Sequence, residues 1–515
     1  MVKRQACADT ANSCQGATAA RQNEFSATRR TILKSGAITG AGLVGLSGVP
    51  GVSAQSDDDR VYWARDGYAG VRDQPTVVHD TVYLGVSREL WALEAATGRR
   101  RWTADTDRTF TSPTVVGETV YLTNNDGENT RILAYDSHQD EDATFIEPRW
   151  ETDGFDETFP PLTFVDGVLC VGSDSGVVYG FDAATGDLEW TYDEYPYEID
   201  SPVTGHDGVV YVGAGSQPRG GPIDLDDETI NGGVYALDAA TGEEIWTADF
   251  ADFTDVFWFA NAPTVQNGRV YVVVSRNGSG GDWKLFAFDA DTGDLDWEHQ
   301  FDNWGHDAPT VAGGRVLSGM VNGVTALDAE TGAIEWIRDD LPSTAAVTVV
   351  GDTVFAGSQA DSSEHGMIHA FDLASGDSRW TWEGADGHIT HSPIVVNGTL
   401  FAGTQEGTLY ALDAAVDGSS EDSLVRDGTF GHHHTFAGGG EPTEDFAGPD
   451  LTDEEGDTSD TGGTGAGGGD DNDATNFEGS SDDGLPGPGI VGALASLGAV
   501  GYLLSRRSGG DDGSA

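Results

Sequence analysis

The sequence predicts an all-β fold, a single eight-bladed β-propeller closed by an N-terminal strand. Three observations predict it. One pattern recurs eight times, clearest at residues 236–246, Ala-Leu-Asp-Ala-Ala-Thr-Gly-Glu-Glu-Ile-Trp. The chain carries 72 glycines and 13 tryptophans, a composition suited to many short strands joined by tight turns. A spare strand at one end of the array matches a strand missing at the other. Behind the propeller the sequence predicts a disordered acidic C-terminal stalk and a short apolar helix.

Taken in order, residues 1–54 read as an export segment. Residues 26–34, with Arg29-Arg30, resemble the twin-arginine export signal; residues 35–49 are weakly apolar, and Val52-Ser53-Ala54 offers the small residues a signal peptidase requires. No cysteine follows the apolar stretch, so an N-terminal lipid anchor is not expected.

Residues 55–417 read as the propeller. The acid of each copy is Glu94, Asp136, Asp182, Asp238, Asp289, Asp328, Asp372 and Asp413, with alanine or, at Gly180, glycine two residues earlier. Eight residues after the acid stands Trp102, Trp190, Trp246, Trp297, Trp336 or Trp380; in the second copy residues 137–147 replace the turn and Trp150 comes later. Before each copy lies a hairpin pattern with Asp-Gly or Asn-Gly types at its turn, and a distance of seven from Pro75 to Val82 and from Pro202 to Val209 suggests one constant register. Each unit is thus three strands, a turn and a fourth strand carrying tryptophan. The eighth copy breaks off after Asp413 without its fourth strand. Residues 61–66, with Trp63, match the fourth-strand pattern of residues 188–193, and using them to complete the last sheet closes eight four-stranded blades into a ring.

Residues 418–485 are a Gly/Asp-rich linker too poor in apolar groups to fold. In residues 486–507 Pro486-Gly487-Pro488-Gly489 precedes an apolar run, 490–504, and then Arg506-Arg507. Fifteen residues make a helix of about 22 Å, shorter than a hydrocarbon core of roughly 30 Å. The order resembles the sorting signal processed by archaeosortase-type enzymes, with Pro488 where that motif carries phenylalanine. Residues 508–515 are a tail. Together the two ends place the protein on the extracellular face of the cell membrane, exported by the twin-arginine route and anchored C-terminally.

Charge excludes one class of partner. With 26 Lys+Arg against 87 Asp+Glu the formal net charge is −61, and such a surface repels nucleic-acid phosphates. Only Lys3, Lys34 and Lys284 are lysine, so the protein reads as built for concentrated salt, as in a halophile. Of the cysteines Cys7, Cys14 and Cys170, only Cys170 lies in the propeller, so no disulfide framework is available and a buried, inert thiol is expected.

The recurring Ala-x-Asp-x-x-Thr-Gly-x-x-x-Trp resembles the pyrroloquinoline-quinone-like propeller repeat family. The resemblance implies that each tryptophan packs against the next blade, which makes these residues and the acids structural. It also implies two precedents that the repeats do not separate. One branch holds quinoprotein dehydrogenases, with the quinone on a tryptophan floor beside Ca2+, often next to a disulfide of adjacent cysteines. The other holds non-catalytic propellers that bind proteins or peptides, envelope assembly scaffolds among them. Adjacent cysteines and a Cys-x-x-Cys-His haem motif are absent here. The expectation is therefore a monomeric, non-enzymatic binding module without a cofactor, the alternative being an alcohol or sugar dehydrogenase with pyrroloquinoline quinone and Ca2+.

Candidate sites follow from the register. The positions two before the proline, Asp73, Thr111, Phe159, Asp200, Asn261, Asp307, Ala345 and His391, are expected at one mouth of the channel. Asp200, Asn261 and Asp307 fall on consecutive blades, an oxygen-rich arc of the sort a hard cation accepts, though in so acidic a chain three solvated groups around a wet mouth are the first expectation. Phe253, Phe257, Trp258 and Phe259 crowd the approach to blade five and Trp304 with His306 the approach to blade six, either as a binding face or as a local plug. With His391 they form the candidate binding side. His432-His433-His434 is a poorly preorganised metal motif. Asn277 and Asn397 head glycosylation acceptor patterns, the second doubling as a hairpin turn.

Overall fold

The structure, a computed structural model, describes residues 60–420 except 67–73, 79, 87, 107–110, 126–128, 140–142, 144–145, 195–197, 200, 216–231, 251–257, 277–282, 303–307, 343, 345, 360–364 and 390; of residues 258, 259, 275 and 276 it describes the backbone alone. Arg29, Arg30, Asn277, the histidine triplet, the stalk and the C-terminal apolar run all lie outside the described residues. Among the described residues no helix is long and apolar enough to cross a membrane.

The strands form eight antiparallel sheets, the blades of the propeller. Blade 1 is typical: Thr76–Val78, Thr81–Val86, Glu89–Glu94 and Arg100–Asp105 follow one another from the innermost strand outward. The expected closure is present. Val61–Arg65 pairs with Leu409–Asp413 and so supplies the outermost strand of blade 8, whose other strands are Thr399–Gly403 and Ile394–Val396. The core lies between blades: each hydrophobic cluster joins side chains of neighbouring sheets, as where Val234, Ala236 and Trp246 of blade 4 meet Val272, Phe286 and Phe288 of blade 5.

The repeat residues explain this packing. The small residue two before the acid pairs directly across the strands with the tryptophan, in Ala92↔Trp102, Gly180↔Trp190, Ala236↔Trp246 and, across the closure, Ala411↔Trp63. A β-bulge then shifts the register beside the turn, as between Ala236 and Leu237. The indole crosses to the following blade and donates its N–H to the carbonyl just beyond that blade's acid: Trp63 to Ala95 at 2.8 Å, Trp190 to Ala239 at 3.0 Å, Trp246 to Ala290 at 2.8 Å, Trp297 to Ala329 at 3.2 Å and Trp336 to Leu373 at 3.0 Å. Its ring lies over the turn glycine. A Cβ added at Gly293 would stand 2.5 Å from the Trp246 ring, and that glycine also holds φ +73°. Blade 8 lacks this turn, and there the Arg60 guanidinium covers Trp380 at 4.2 Å instead.

A second ring of bonds lies on the innermost strands. The hydroxyls of Thr76, Thr114, Thr163, Thr204, Thr264, Thr310 and Thr348 each donate to a carbonyl at the entry to the next blade, at 2.5–2.7 Å. Ile394 takes the equivalent place in blade 8, and Gln74 bridges that junction by donating to the Ser392 carbonyl at 3.0 Å.

Two expectations need correction. Blade 5 has five strands, because Trp258–Ala260 pairs with the far end of Arg269–Arg276 beyond Thr264–Gln266. The proline does not mark a constant register. Thr76 pairs with Tyr83 directly after Pro75, whereas Thr204 pairs with Tyr211 two residues after Pro202. The constant is the position that threonine fills in blades 1 to 7, and Ile394 in blade 8, with its cross-strand partner, so the loops before blades 3 and 4 are read one residue out of step.

Candidate functional site

The eight acids are occupied within their turns. Asp238 Oδ1 accepts the backbone N–H groups of Ala240 and Thr241 and the Thr241 hydroxyl, at 2.8–3.1 Å, and Asp182, Asp289, Asp328 and Asp372 repeat the arrangement. Asp136, whose turn is replaced, accepts from His138 N–H and pairs with Arg149 at 2.7 Å; Asp413 accepts from Ala415 N–H. The Thr331 hydroxyl holds the Asp328 carboxyl below the usual carboxylate range, and Arg379 does the same for Asp372. A carboxylate accepting three such bonds closes a turn and is spent in doing so.

The corrected register rearranges the proposed arc. Ser201, not Asp200, stands at the place equivalent to Asn261, and Asp200, Asp307, Asp73 and Ala345 are outside the described residues. Thr111 is buried and donates to the Thr123 carbonyl; Phe159 is buried against Phe155 and Tyr179. Neither presents a group to a mouth. Asn261 and His391 are half-buried. The Asn261 amide nitrogen is enclosed without a hydrogen-bond partner among the described residues. Among the described residues no three His, Cys, Asp or Glu side chains converge to hold a metal ion.

A quinone needs a tryptophan floor at the channel, and tryptophan placement bears on this. Every tryptophan with a described side chain, Trp91 and Trp283 on third strands and Trp63, Trp102, Trp150, Trp190, Trp246, Trp297, Trp336, Trp380 and Trp382 on fourth strands, lies in the outer half of its blade. Trp258 is placed by its backbone on the extra strand of blade 5 beside Phe259, whereas Phe253, Phe257, Trp304 and His306 lie outside the described residues. Cys170 is fully buried in the strand Val168–Gly172, and burial pushes its thiol pKa up. At Asn397 the acceptor pattern is a tight turn: Asn397 holds φ +45°, its N–H donates to the Ser419 hydroxyl at 2.9 Å, and Thr399 is buried.

One concavity was missed in the sequence. Between the outer halves of blades 5 and 6 lies a cavity of about 190 Å³, lined among others by His299, Phe301, Met320, Thr325, Ile337 and Arg338. It is smaller than the roughly 300–1,000 Å³ of sites for drug-sized ligands. A cavity of about 150 Å³ accommodates a single benzene ring. The signal was the position three before each acid, where Thr325 stands against Trp91, Tyr179, Tyr235, Phe286 and Tyr410 in five other blades, with Leu133 in blade 2 and His369 in blade 7.

The fold and the repeat geometry define a class, the eight-bladed repeat propeller with indole-to-turn docking. A family model described as "Outer membrane protein assembly factor BamB" matches residues 15–231 and 230–429, and the chain belongs to this pyrroloquinoline-quinone-like repeat family. Among curated relatives, the outer membrane protein assembly factor BamB of Burkholderia pseudomallei is 25% identical over 65% of this chain and 82% of its own. The quinoprotein ethanol dehydrogenase of Pseudomonas aeruginosa is 32% identical over 26% of this chain and 22% of its own. Among solved structures, BamB from Moraxella catarrhalis matches with a TM-score of 0.51 at 18% identity, covering 68% of this chain and 97% of that one. The quinohemoprotein alcohol dehydrogenase of Comamonas testosteroni matches with 0.50 at 16%, covering 69% and 76%. At such identities the structures share the fold alone.

Proposed function

We propose that this chain is a non-catalytic binding or scaffold module, exported by the twin-arginine route, held at the outer face of the cell membrane by its C-terminal segment, and engaging a protein, peptide or envelope component as a monomer. One observation carries the reading: the likeness to an assembly factor spans 82% of that relative, whereas the likeness to the ethanol dehydrogenase stops at 22% of its length. The aromatic approach to blades 5 and 6, with Phe257, Trp258, Phe259, Trp304 and His306, together with His391, is the binding side this reading favours. Nucleic acid is excluded as a partner by charge.

The second reading, a dehydrogenase using pyrroloquinoline quinone and Ca2+, is favoured by the 32% identity to the ethanol dehydrogenase over 142 residues. A single titration separates the two. The intact protein in multimolar salt is mixed with pyrroloquinoline quinone, with and without Ca2+, while tryptophan fluorescence and dye-coupled turnover on alcohols and sugars are followed. No saturable quenching and no turnover are expected. Ca2+-dependent saturation with turnover would sink the first reading and make Asn261, Asp307 and Trp258 the positions to substitute. The address is tested by mass spectrometry of the membrane fraction: a mature N-terminus near residue 55 is expected, and an uncleaved twin-arginine segment overturns the export route.

A further inference from the structure

We propose that the cleft between blades 5 and 6 docks a tyrosine side chain carried by an extended, basic segment of a partner protein. The inference rests on the binding-module reading and gives it a chemistry. At three other junctions the interblade space at this level is filled by rings from both sides. Tyr192 meets Tyr235 with centroids 5.4 Å apart, Phe250 stacks on Phe286 at 5.6 Å, and Trp382 meets Tyr410 at 5.1 Å. At the junction of blades 5 and 6 the chain supplies Thr325, and the space of about 190 Å³ is what the absent ring leaves. Phe301 and Met320 give the cavity apolar walls, while Gln300 and Asn322 supply polar groups. A ring with a hydroxyl suits that mixture.

The rim sets the rest of the partner. Ile334 and Ile337 are 51% and 52% exposed, as Leu188 and Ile245 nearly are on the outermost strands of blades 3 and 4, but here both side chains line a cavity. An outermost strand has a free edge to which an extended segment can add. Asp302 and Asp339, both exposed, line the same opening beside Arg338, whose guanidinium is taken up by Asp340 at 2.8 Å, on a chain whose net charge is −61. Residues flanking the tyrosine are therefore Arg or Lys, attracted by the rim and steered by the whole field.

The test uses the full chain and two fluorescein-labelled peptides, acetyl-Arg-Tyr-Arg-amide and its alanine counterpart, followed by anisotropy at 0.3 M and 2 M salt. The tyrosine peptide is expected to bind at least about tenfold more tightly than the alanine peptide, a difference of about 1.4 kcal/mol. Thr325→Tyr restores the ring that blades 4 and 8 carry and is expected to remove that advantage. Asp302→Asn with Asp339→Asn is expected to weaken binding about threefold, more at the lower salt. Should Thr325→Tyr not fold, Ile337→Glu on the exposed rim replaces it, with the same loss expected. Equal binding of both peptides, an unchanged affinity in the filled variant, or no binding up to millimolar peptide overturns the assignment. If the peptide fails while quinone neither binds nor turns over, the cleft falls and the binding-module reading stands; quinone turnover removes that reading whatever the peptide does.

Discussion

Single residues do two different jobs here, and one comparison separates them. Gly293 and Gly268 share a left-handed backbone, φ +73° and +74°, but only Gly293 lies under an indole; around Gly268 a Cβ would meet nothing within 4 Å. Alanine at Gly268 tests backbone strain alone, about 1 kcal/mol. Alanine at Gly293 adds a clash with Trp246, for which overpacking costs about 1–3 kcal/mol more. Denaturant midpoints of the two variants give the difference, and equal losses would refute the docking role of the glycine. His369 makes a separate prediction. Its imidazole is buried in blade 7, with Nε2 3.0 Å from the Ser358 hydroxyl, and burial, then the nearby Arg338 charge, lowers its pKa from 6.5 to about 4. The unfolded chain binds a proton here at a pH where the folded chain does not. The contribution is thus complete above pH 6.5 and lost as pH falls toward about 4, amounting to about 3 kcal/mol. His369→Gln should flatten the stability profile over that window relative to the unsubstituted protein, and parallel profiles would contradict it.

At the level of strands, the fourth strand is where the sequence was most readable, because its tryptophan, the small residue opposite and the Thr-Gly turn all answer to one docking geometry. Closure of blade 8 by residues 61–65 was readable for the same reason: Trp63 meets Ala411 and Gly98 as its counterparts do elsewhere. What escaped the sequence had no chemical mark. Pro202 looks like Pro75 but stands one residue earlier, since proline tolerates several places before a strand while only the Thr204–Tyr211 pairing fixes register. The extra strand Trp258–Ala260 reads as a loop because its hydrogen bonds depend on the overhang of Arg269–Arg276. The cleft at Thr325 is the mark of a missing ring, visible only against its equivalents. Trp63→Ala tests the closing strand. It and Trp246→Ala should each cost about 3–5 kcal/mol, but only the former loosens the cover of Leu409–Asp413 and exposes a sheet edge. Light scattering should show self-association in Trp63→Ala and not in Trp246→Ala; the reverse would mean the strand is held by its backbone pairing alone.

The whole ring carries its charge on the outside. With 87 acids against 26 bases, and ion pairs such as Arg101–Asp80 and Arg379–Asp352 lying at the surface, self-repulsion opposes the folded state and few exposed pairs offset it. The apparent melting temperature should rise steadily from 0.1 M to multimolar KCl, as the screening length shrinks from about 10 Å to about 3 Å at 1 M. A flat or falling profile in a thermal scan would mean that the acids are neutralised within the fold.

The pairing of Val61–Arg65 with Leu409–Asp413 also sets a timetable. Within a blade, hairpin partners are about seven residues apart and meet for about 2 kcal/mol of closure entropy; Arg60 and Asp413 are separated by 353 residues, for about 5 kcal/mol. Blades 1 to 7 are complete, in chain order, before the synthesis of blade 8 supplies the partner of the first strand. Until then residues 61–65 have no partner strand, and the apolar faces of blades 1 and 7 that blade 8 covers stay open. The ring is closed only when its last strand finds its first.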